Sequence, residues 1–246
     1  MHVSAAVIAS SLILTSGCTM RAAEPRAEAA VTPAAVAAPD SPSAPVEGEI
    51  VTLQDGRRLY LKCSGSGSPT VVMVGGAGQA SDAHDYAVPE ISERTRTCVY
   101  DRAFGRADAT RVVPGLTERV NELRQVLSAA DPGPYVLVGR SDGGRTVTEY
   151  AYAHPDLIAG IVLLDTPCPA QRPDRHIGDI PLTVVSVHYG HAARSAAERD
   201  NALDQRGWLV LSPRSHQVIA DSGPAIEEDD PRIVIDRILD TVAEAS

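Results

Sequence analysis

One serine lies at the centre of the glycine-rich stretch GRSDGG at residues 139–144. An apolar run of β-type residues precedes this stretch at 135–138, and a helical pattern follows it. Gly139 and Gly143 lie two residues on either side of Ser141, where larger side chains would collide in a sharp strand-to-helix corner. Such a corner exposes the serine hydroxyl as a nucleophile and aims free N–H groups of the helix start at an oxyanion formed beside it. The alternative is a glycine-rich turn that only packs a helix against a sheet.

Strand and helix patterns alternate around this corner. Predicted strands cover residues 49–53, 58–63, 70–74, 96–100, 135–138, 161–164, 182–187 and 217–220. Helical patterns begin at Leu116, after the serine, and at Pro231. The first two strands flank Gln54-Asp55-Gly56, which is typical of a hairpin turn. The order predicts the α/β fold class, with a mostly parallel, doubly wound sheet of eight strands behind a leading antiparallel hairpin.

The serine corner and the surrounding elements resemble the α/β-hydrolase superfamily of serine hydrolases. The resemblance runs from about Glu49 to the C-terminus, and the GxSxG motif at Ser141 is its strongest part. It implies an α/β-hydrolase fold and an esterase or lipase activity, for which serine needs no cofactor. Only a short segment separates Asp165 from Pro181, so we expect no large cap domain and an open site for small or exposed acyl substrates.

The resemblance also implies an oxyanion hole built from two backbone N–H groups. One donor is Asp142, the residue after the nucleophile. The other comes from the loop after the third strand, where the family usually has His-Gly and this chain has Gly75-Gly76. The second donor is therefore expected at Ala77.

The acid of a catalytic triad has two candidate positions. The family commonly places it after the seventh strand, but this chain has no carboxylate there. Asp165, after the sixth strand, is the position that some members use instead, and Asp174 is the second choice. The seventh strand is followed by His188 and His191, which are both candidates for the base.

The base is expected just after the last strand, in a Ser-Gly-His stretch, and here the chain has Ser-Gly-Pro ending at Pro224. Proline cannot accept a proton. His216 lies eight positions earlier and would reach the site only if the last strand covers 208–211 rather than 217–220. A protein without a working base is the remaining interpretation. Arg140 replaces the histidine that many relatives carry before the nucleophile, and we expect it to point into solvent.

Two functions follow from these observations. The first is an esterase-type serine hydrolase with Ser141 as nucleophile, Asp165 as acid and His216 as base. The second, motivated by Pro224, is a catalytically impaired protein of the same fold that binds a ligand or partner at the cell envelope.

Composition excludes several other classes. The 246 residues carry a formal net charge of −10, which argues against nucleic-acid partners because phosphate binding needs basic clusters. Aromatic residues make up only 4%, so stacking platforms for bases or sugars are not expected. No HExxH or CxxC spacing indicates a metal site. We expect a monomer whose partner is a small acyl substrate.

The N-terminus predicts export. Residues 5–15 are mostly apolar and too short to span a bilayer, so residues 1–18 resemble a signal peptide. The stretch LTSGC, which ends at Cys18, resembles a bacterial lipobox and implies a lipid-anchored membrane protein; an ordinary signal peptide and a secreted product are the alternative. Residues 19–46 are rich in Ala and Pro and predict a disordered tether before a hydrolase domain at 47–246.

The cysteines test the implied strand order. In the α/β-hydrolase order the second and fourth strands are neighbours, so Cys63 and Cys98 can form a cross-strand disulfide. Export would favour this bridge, which would stabilise the fold by roughly 3–4 kcal/mol. Two buried free thiols are the alternative. Cys168 has no obvious partner.

Overall fold

The computed structural model describes residues 48–102, 114–130, 132–169, 174–187 and 204–246. All of them belong to the unit Ala44–Ser246. The predicted signal segment with Cys18, the predicted tether, and the candidate bases His188 and His191 lie outside the described residues. In the part of the chain from residue 48 onward that is described, no helix has both the length and the apolar character of a membrane span.

The described residues form one eight-stranded sheet in the order β1-β2-β4-β3-β5-β6-β7-β8. Its strands are β1 (Glu49–Thr52), β2 (Arg58–Ser64), β3 (Thr70–Val74), β4 (Thr97–Tyr100), β5 (Tyr135–Arg140), β6 (Ile158–Leu164), β7 (Leu182–Val187) and β8 (Ser215–Ala220). β1 and β2 pair antiparallel, as do β2 and β4, and every later neighbour pairs parallel. The predicted sheet with its leading hairpin is confirmed.

Helices cover both faces of the sheet. They are α1 (Val88–Ser92), α2 (Leu116–Ala130), α3 (Asp142–Ala153), α4 (Ile226–Asp229) and α5 (Pro231–Ala245), with 3₁₀ helices at Ser81–His84, Pro155–Leu157 and Arg206–Leu211. α5 begins as the sequence predicts, because Pro231 occupies its first turn and the Asp230 side chain accepts a hydrogen bond from the Ile233 N–H at 3.1 Å.

The core has two layers, one on each side of the sheet. β3 is buried throughout and alternates between them: Val72 and Val74 face the cluster that contains Leu123 of α2, whereas Met73 faces the cluster that contains Ile238 of α5. With both faces covered, the C-terminal edge of the parallel strands is the place left for a ligand site.

The last strand is longer than predicted, and the alternative register is wrong. Residues 208–211 belong to the 3₁₀ helix Arg206–Leu211, and β8 starts at Ser215. The indole N–H of Trp208 donates to the carbonyl oxygen of Thr166 at 2.9 Å, which fixes this segment against the loop after β6 rather than in the sheet.

Cys63 and Cys98 lie directly opposite each other in the β2–β4 ladder and form a disulfide, with their Cα atoms 4.1 Å apart. The predicted bridge is confirmed, and the alternative of two free thiols is wrong. Cys168 is half-buried and takes no part in this bridge. The expected absence of a large cap domain stays a prediction, because residues 170–173 and 188–203 lie outside the described residues.

Candidate active site

Ser141 lies at the apex of the corner between β5 and α3, with φ +48° and ψ −118°. Backbone of this kind is strained for a residue with a Cβ, at a cost on the order of 1–3 kcal/mol. Two hydrogen bonds hold it in place. The Ser141 N–H donates to the Leu164 carbonyl at 2.8 Å, and the Gly144 N–H donates to the Ser141 carbonyl at 3.0 Å. The sheet and the helix together therefore fix the serine at the C-terminal edge.

Close packing around the corner explains its glycines. A Cβ on Gly139 would lie 2.4 Å from the Cα of Gly144, and a Cβ on Gly144 would lie 2.0 Å from Oγ1 of Thr166. A Cβ on Gly143 would lie 2.3 Å from the carbonyl oxygen of Val74. No side chain fits at these separations, so the three glycines let α3 approach β3 and β6 closely enough to form the corner.

The loop after β3 passes beside the serine. A Cβ on Gly76 would lie 3.4 Å from the Cβ of Ser141. Ala77 follows at an exposed position of this loop, and Asp142 is the first residue of α3, where a helix leaves N–H groups without intrahelical partners. Both predicted oxyanion donors thus belong to segments that flank Ser141, and their role in catalysis stays a prediction.

The Asp142 side chain is held in a clamp of two buried arginines. Its Oδ2 accepts hydrogen bonds from Arg119 of α2 and, at 3.3 Å, from Nη2 of Arg102. The same Arg102 donates through Nη1 to the carbonyl of Gly75 at 2.8 Å. This clamp connects the start of α3 to α2 and to the loop after β3. The local sequence pattern did not predict these contacts.

Asp165 lies at the same edge of the sheet as Ser141, directly after β6, with φ +42°. It is buried, and its Oδ1 accepts a hydrogen bond from Nε2 of Gln205 at 2.8 Å. Its Oδ2 lies 3.9 Å from Nη1 of Arg140. The structure therefore brings Asp165 to the serine corner, where its carboxylate contacts the Gln205 amide and lies near the Arg140 guanidinium.

Asp174 lies elsewhere. It is exposed, and its charge acts on Tyr152, whose pKa is raised to about 12, first by burial and further by nearby carboxylates that include Asp174. Tyr152 belongs to the last turn of α3, roughly 15 Å along the helix from the serine corner. Asp174 is therefore not brought to Ser141.

His216 is also remote from the serine. It pairs with Thr183 of β7, and its Nε2 lies 3.4 Å from the Thr183 hydroxyl oxygen. The strand register aligns Thr183 with Val162 and Val162 with Val138, which precedes Ser141 by three residues. His216 is therefore displaced from Ser141 by about 10 Å along the strands and about 14 Å across them. In this structure it cannot serve as the base.

The segment where the family carries its base does lie near Ser141, because it contacts the neighbouring Arg140. Nη2 of Arg140 donates to the carbonyl oxygen of Pro224 at 2.8 Å, and Nε of Arg140 donates to Oε1 of Glu227 at 2.6 Å. The Arg140 side chain is only 14% exposed, so the expectation that it points into solvent is wrong. The Glu227 carboxylate, 87 residues away in sequence, holds it inward.

A cleft of about 460 Å³ opens at this place. Its walls come from the loop after β3, from the residue before Ser141 and from the segment after β8, and include Gln79, Tyr86, Arg140, Pro224, Glu227 and Glu228. Together with Asp82, the carboxylates of this wall outnumber its one guanidinium. Across the described ranges, no three His, Cys, Asp or Glu side chains are grouped as a metal site would require.

His84 lies behind the loop after β3 and is only 1% exposed. A Cβ on Gly75 would lie 3.4 Å from its Nε2, and within the described residues neither ring nitrogen has a hydrogen-bond partner. Burial lowers the pKa of His84 to about 4, against the opposing charge of Glu227, so the ring is neutral at neutral pH. Sequence inspection gave no sign of this burial.

Comparison with known proteins decides the family. Residues 69–204 match the family model of the alpha/beta hydrolase fold. The chain belongs to the α/β-hydrolase fold family. An uncharacterized protein of Mycobacterium tuberculosis is 26% identical over 110 residues, which cover 44% of this chain and 32% of that protein. The uncharacterized protein YbdG of Bacillus subtilis is 26% identical over 129 residues, 51% of this chain and 39% of its own length. This α/β hydrolase thus spans about a third of the length of the curated relatives that it matches.

Solved structures share the fold of this α/β hydrolase at low identity. An esterase from Thermogutta terrifontis has a TM-score of 0.64 at 16% identity and covers 80% of this chain and 98% of its own. The serine hydrolase CarC of carbazole degradation has a TM-score of 0.65 at 16% identity, with the same coverage of 80% and 98%. An epoxide hydrolase from Vigna radiata has a TM-score of 0.64 at 11% identity and covers 80% and 99%.

Proposed function

We propose that this α/β hydrolase is a serine hydrolase of esterase type that acts on small or exposed acyl substrates. The observation that carries the proposal is the strained Ser141 on the β5–α3 corner, beside the loop at Gly76. Ser141 Oγ attacks the ester carbonyl carbon, and the N–H groups of Asp142 and Ala77 hold the oxyanion. Collapse of the intermediate expels the alcohol, which takes up the serine proton, and water then releases the acid.

We propose a proton acceptor among the residues that the structure does not describe. Where the structure describes the chain, no hydrogen bond joins a histidine to Ser141. β7 ends at Val187, at the same sheet edge as the serine, and His188 and His191 follow it in the sequence. Their position after this strand supports one of them as the base, with Asp165 as the acid that completes the site.

A second candidate function is supported by the contact between Pro224 and Arg140. If the only base position of the fold is the one that proline occupies, the protein binds a ligand or partner in the cleft without turning it over. Loss of a general base removes several orders of magnitude of rate, although an oxyanion hole and substrate binding leave some residual catalysis.

Turnover of 4-nitrophenyl acetate separates the two candidates. We expect wild type to exceed Ser141→Ala, and either His188→Ala or His191→Ala to fall to the level of Ser141→Ala, while His216→Ala matches wild type. If wild type matches Ser141→Ala and Pro224→His gains activity, the esterase proposal fails and the binding protein stands. Pro224 is exposed, and its hydrogen bond uses the carbonyl, so this substitution preserves the backbone contact.

We also propose that the protein is exported and anchored through a lipid on Cys18. The Cys63–Cys98 disulfide supports an oxidising compartment, since cytosolic thiols are kept reduced. Incorporation of labelled palmitate into wild type, and its loss in Cys18→Ala, would support the anchor; unlabelled wild type in the culture medium would contradict it.

A further inference from the structure

Gln79 closes the loop after β3 with two hydrogen bonds. Its backbone N–H donates to the carbonyl oxygen of Gly76 at 3.2 Å, and its side-chain Oε1 accepts from the N–H of Gly76 at 2.6 Å. Gly78, with φ +75°, occupies the third position of this four-residue turn, where a type II turn requires a positive φ. One backbone hydrogen bond and one side-chain hydrogen bond from Gln79 therefore fix the conformation of this loop.

The Gln79 side chain is also fixed at its stem. A Cβ on Gly75 would lie 3.1 Å from the Cβ of Gln79 and 3.4 Å from Nε2 of the buried His84, so the stem packs beside the imidazole in the space that Gly75 leaves. Because the Gly76 N–H is a donor, only the amide oxygen can face it. The orientation of the glutamine amide is thus set by chemistry as well as by packing.

This arrangement determines which N–H group of the loop can meet an oxyanion. Gly76 is the loop residue that lies against the Cβ of Ser141, but its N–H is already bound by Gln79. The next N–H along the chain is that of Ala77. In a loop free to rotate, the N–H groups of Gly76 and Ala77 would compete for the oxyanion. In the loop held by Gln79, only the Ala77 N–H is left to donate to it.

We propose that Gln79 is a positioning residue of the oxyanion hole, which engages the Gly76 N–H and thereby directs the Ala77 N–H at the oxyanion. This inference rests on the proposed serine hydrolase function. Loss of one oxyanion donor typically lowers kcat by about 100- to 1,000-fold. A loosened loop keeps the donor but not its orientation, so we expect a fall in kcat of roughly 10- to 100-fold with KM changed by less than about twofold.

Gln79→Met tests the inference, because methionine preserves the length of the side chain and lacks the acceptor. The chain offers a matched control in Gln125, whose Oε1 accepts the Gln54 N–H at 2.7 Å on the exposed side of α2. Gln125→Met deletes the same kind of bond away from the serine. The readouts are kcat and KM for 4-nitrophenyl acetate, and the Kd of phenylboronic acid, which forms a tetrahedral adduct with a nucleophilic serine and does not depend on turnover.

The expected result is a Kd for the boronic acid that is 10- to 100-fold weaker in Gln79→Met, with Gln125→Met like wild type and both melting temperatures unchanged. If wild type and Ser141→Ala bind the boronic acid equally, the hydrolase proposal fails and the role of Gln79 fails with it. If wild type forms the adduct and Gln79→Met matches it in Kd and kcat, only the role of Gln79 is overturned. A Gln79→Met variant with a lower melting temperature and a higher KM, but no selective fall in kcat, also overturns the role of Gln79. The side chain would then be merely structural.

Discussion

Arg140 donates a hydrogen bond to the carbonyl oxygen of Pro224 at 2.8 Å and thereby joins the residue before Ser141 to the segment after the last strand. The same guanidinium bonds Glu227 and lies 3.9 Å from Asp165. A fixed positive charge thus lies between the proposed acid and the place where the family carries its base. At about 5 Å and an effective dielectric constant of about 20, this charge alone would oppose a protonated imidazole there by roughly 3 kcal/mol, which the bound Glu227 carboxylate offsets in part.

Installing a base at this place should therefore succeed best when the guanidinium is removed. We expect Pro224→His to raise kcat/KM for ester hydrolysis, and Pro224→His with Arg140→Gln to raise it by at least another factor of ten, because the imidazolium formed in the reaction no longer faces a cation. Arg145 of α3 is exposed, so Pro224→His with Arg145→Gln is the matched control. Rate profiles between pH 5 and pH 9 provide the measurement, and equal rates in the two double variants would contradict the explanation.

The serine corner offers a test of packing. Gly143→Ala places a Cβ against the backbone oxygens of Val74 and Gly75, at 2.3 and 2.6 Å, and backbone at the centre of a sheet cannot move aside. We expect a loss of unfolding free energy of about 3 kcal/mol, measured by urea denaturation, with loss of any esterase activity. Gly115→Ala is the control, since its new Cβ meets only the carboxylate end of the exposed Glu118 side chain, which can shift without moving backbone. Equal effects in the two variants would show that the corner is not close-packed.

The features predicted correctly from sequence are those encoded locally. Buried apolar runs, the helical spacing before Ser141 and the GxSxG stretch each specify their element within a few residues, so strand order and the serine corner followed from them. The preferred last strand at 217–220 is part of β8, whereas the alternative strand at 208–211 is wrong. The stretch from Trp208 to Leu211 has β-type composition but forms a 3₁₀ helix, because Trp208 bonds a carbonyl 42 residues away in sequence.

Ion pairs at the site were missed for the same reason. Arg102 and Asp142 are 40 residues apart, and Arg140 and Glu227 are 87 residues apart. Nothing in the residues around either arginine distinguishes an inward ion pair from a solvated side chain. Such contacts become visible only when the sheet has brought the loops together.

The charge of the cleft predicts which esters are preferred. Asp82, Glu227 and Glu228 face one guanidinium, which Glu227 already binds, so an anionic substrate is repelled by at least about 1 kcal/mol relative to a neutral one. We expect kcat/KM to fall in the order ammonium, neutral and carboxylate among esters of equal acyl length. Glu228→Gln, at an exposed position, should reduce the differences in kcat/KM among these three esters. A preference for the carboxylate ester would contradict this assignment of charge.

Buried His84 predicts how stability depends on pH. Burial lowers its pKa from 6.5 to about 4, so between these values the unfolded chain binds a proton that the folded chain excludes. The contribution of His84 to stability is complete above about pH 6.5 and is lost as the pH falls toward 4, by about 3 kcal/mol in total. His84→Phe fills the same buried space without a titrating ring, and should therefore show a shallower loss of unfolding free energy over this window.

Urea denaturation of wild type, His84→Phe and His176→Gln at pH 8, 6, 5 and 4.5 provides the measurement. Other carboxylates and histidines titrate in all three proteins, so their contribution cancels in the differences between the curves. His176 is exposed, and its variant should follow wild type at every pH. As the pH falls, the unfolding free energy of His84→Phe should rise relative to that of wild type, because the unfolded variant has one proton fewer to bind. Parallel curves for His84→Phe and wild type would mean that the His84 ring titrates alike in the folded and unfolded chains, and hence that it is not held neutral behind the serine loop.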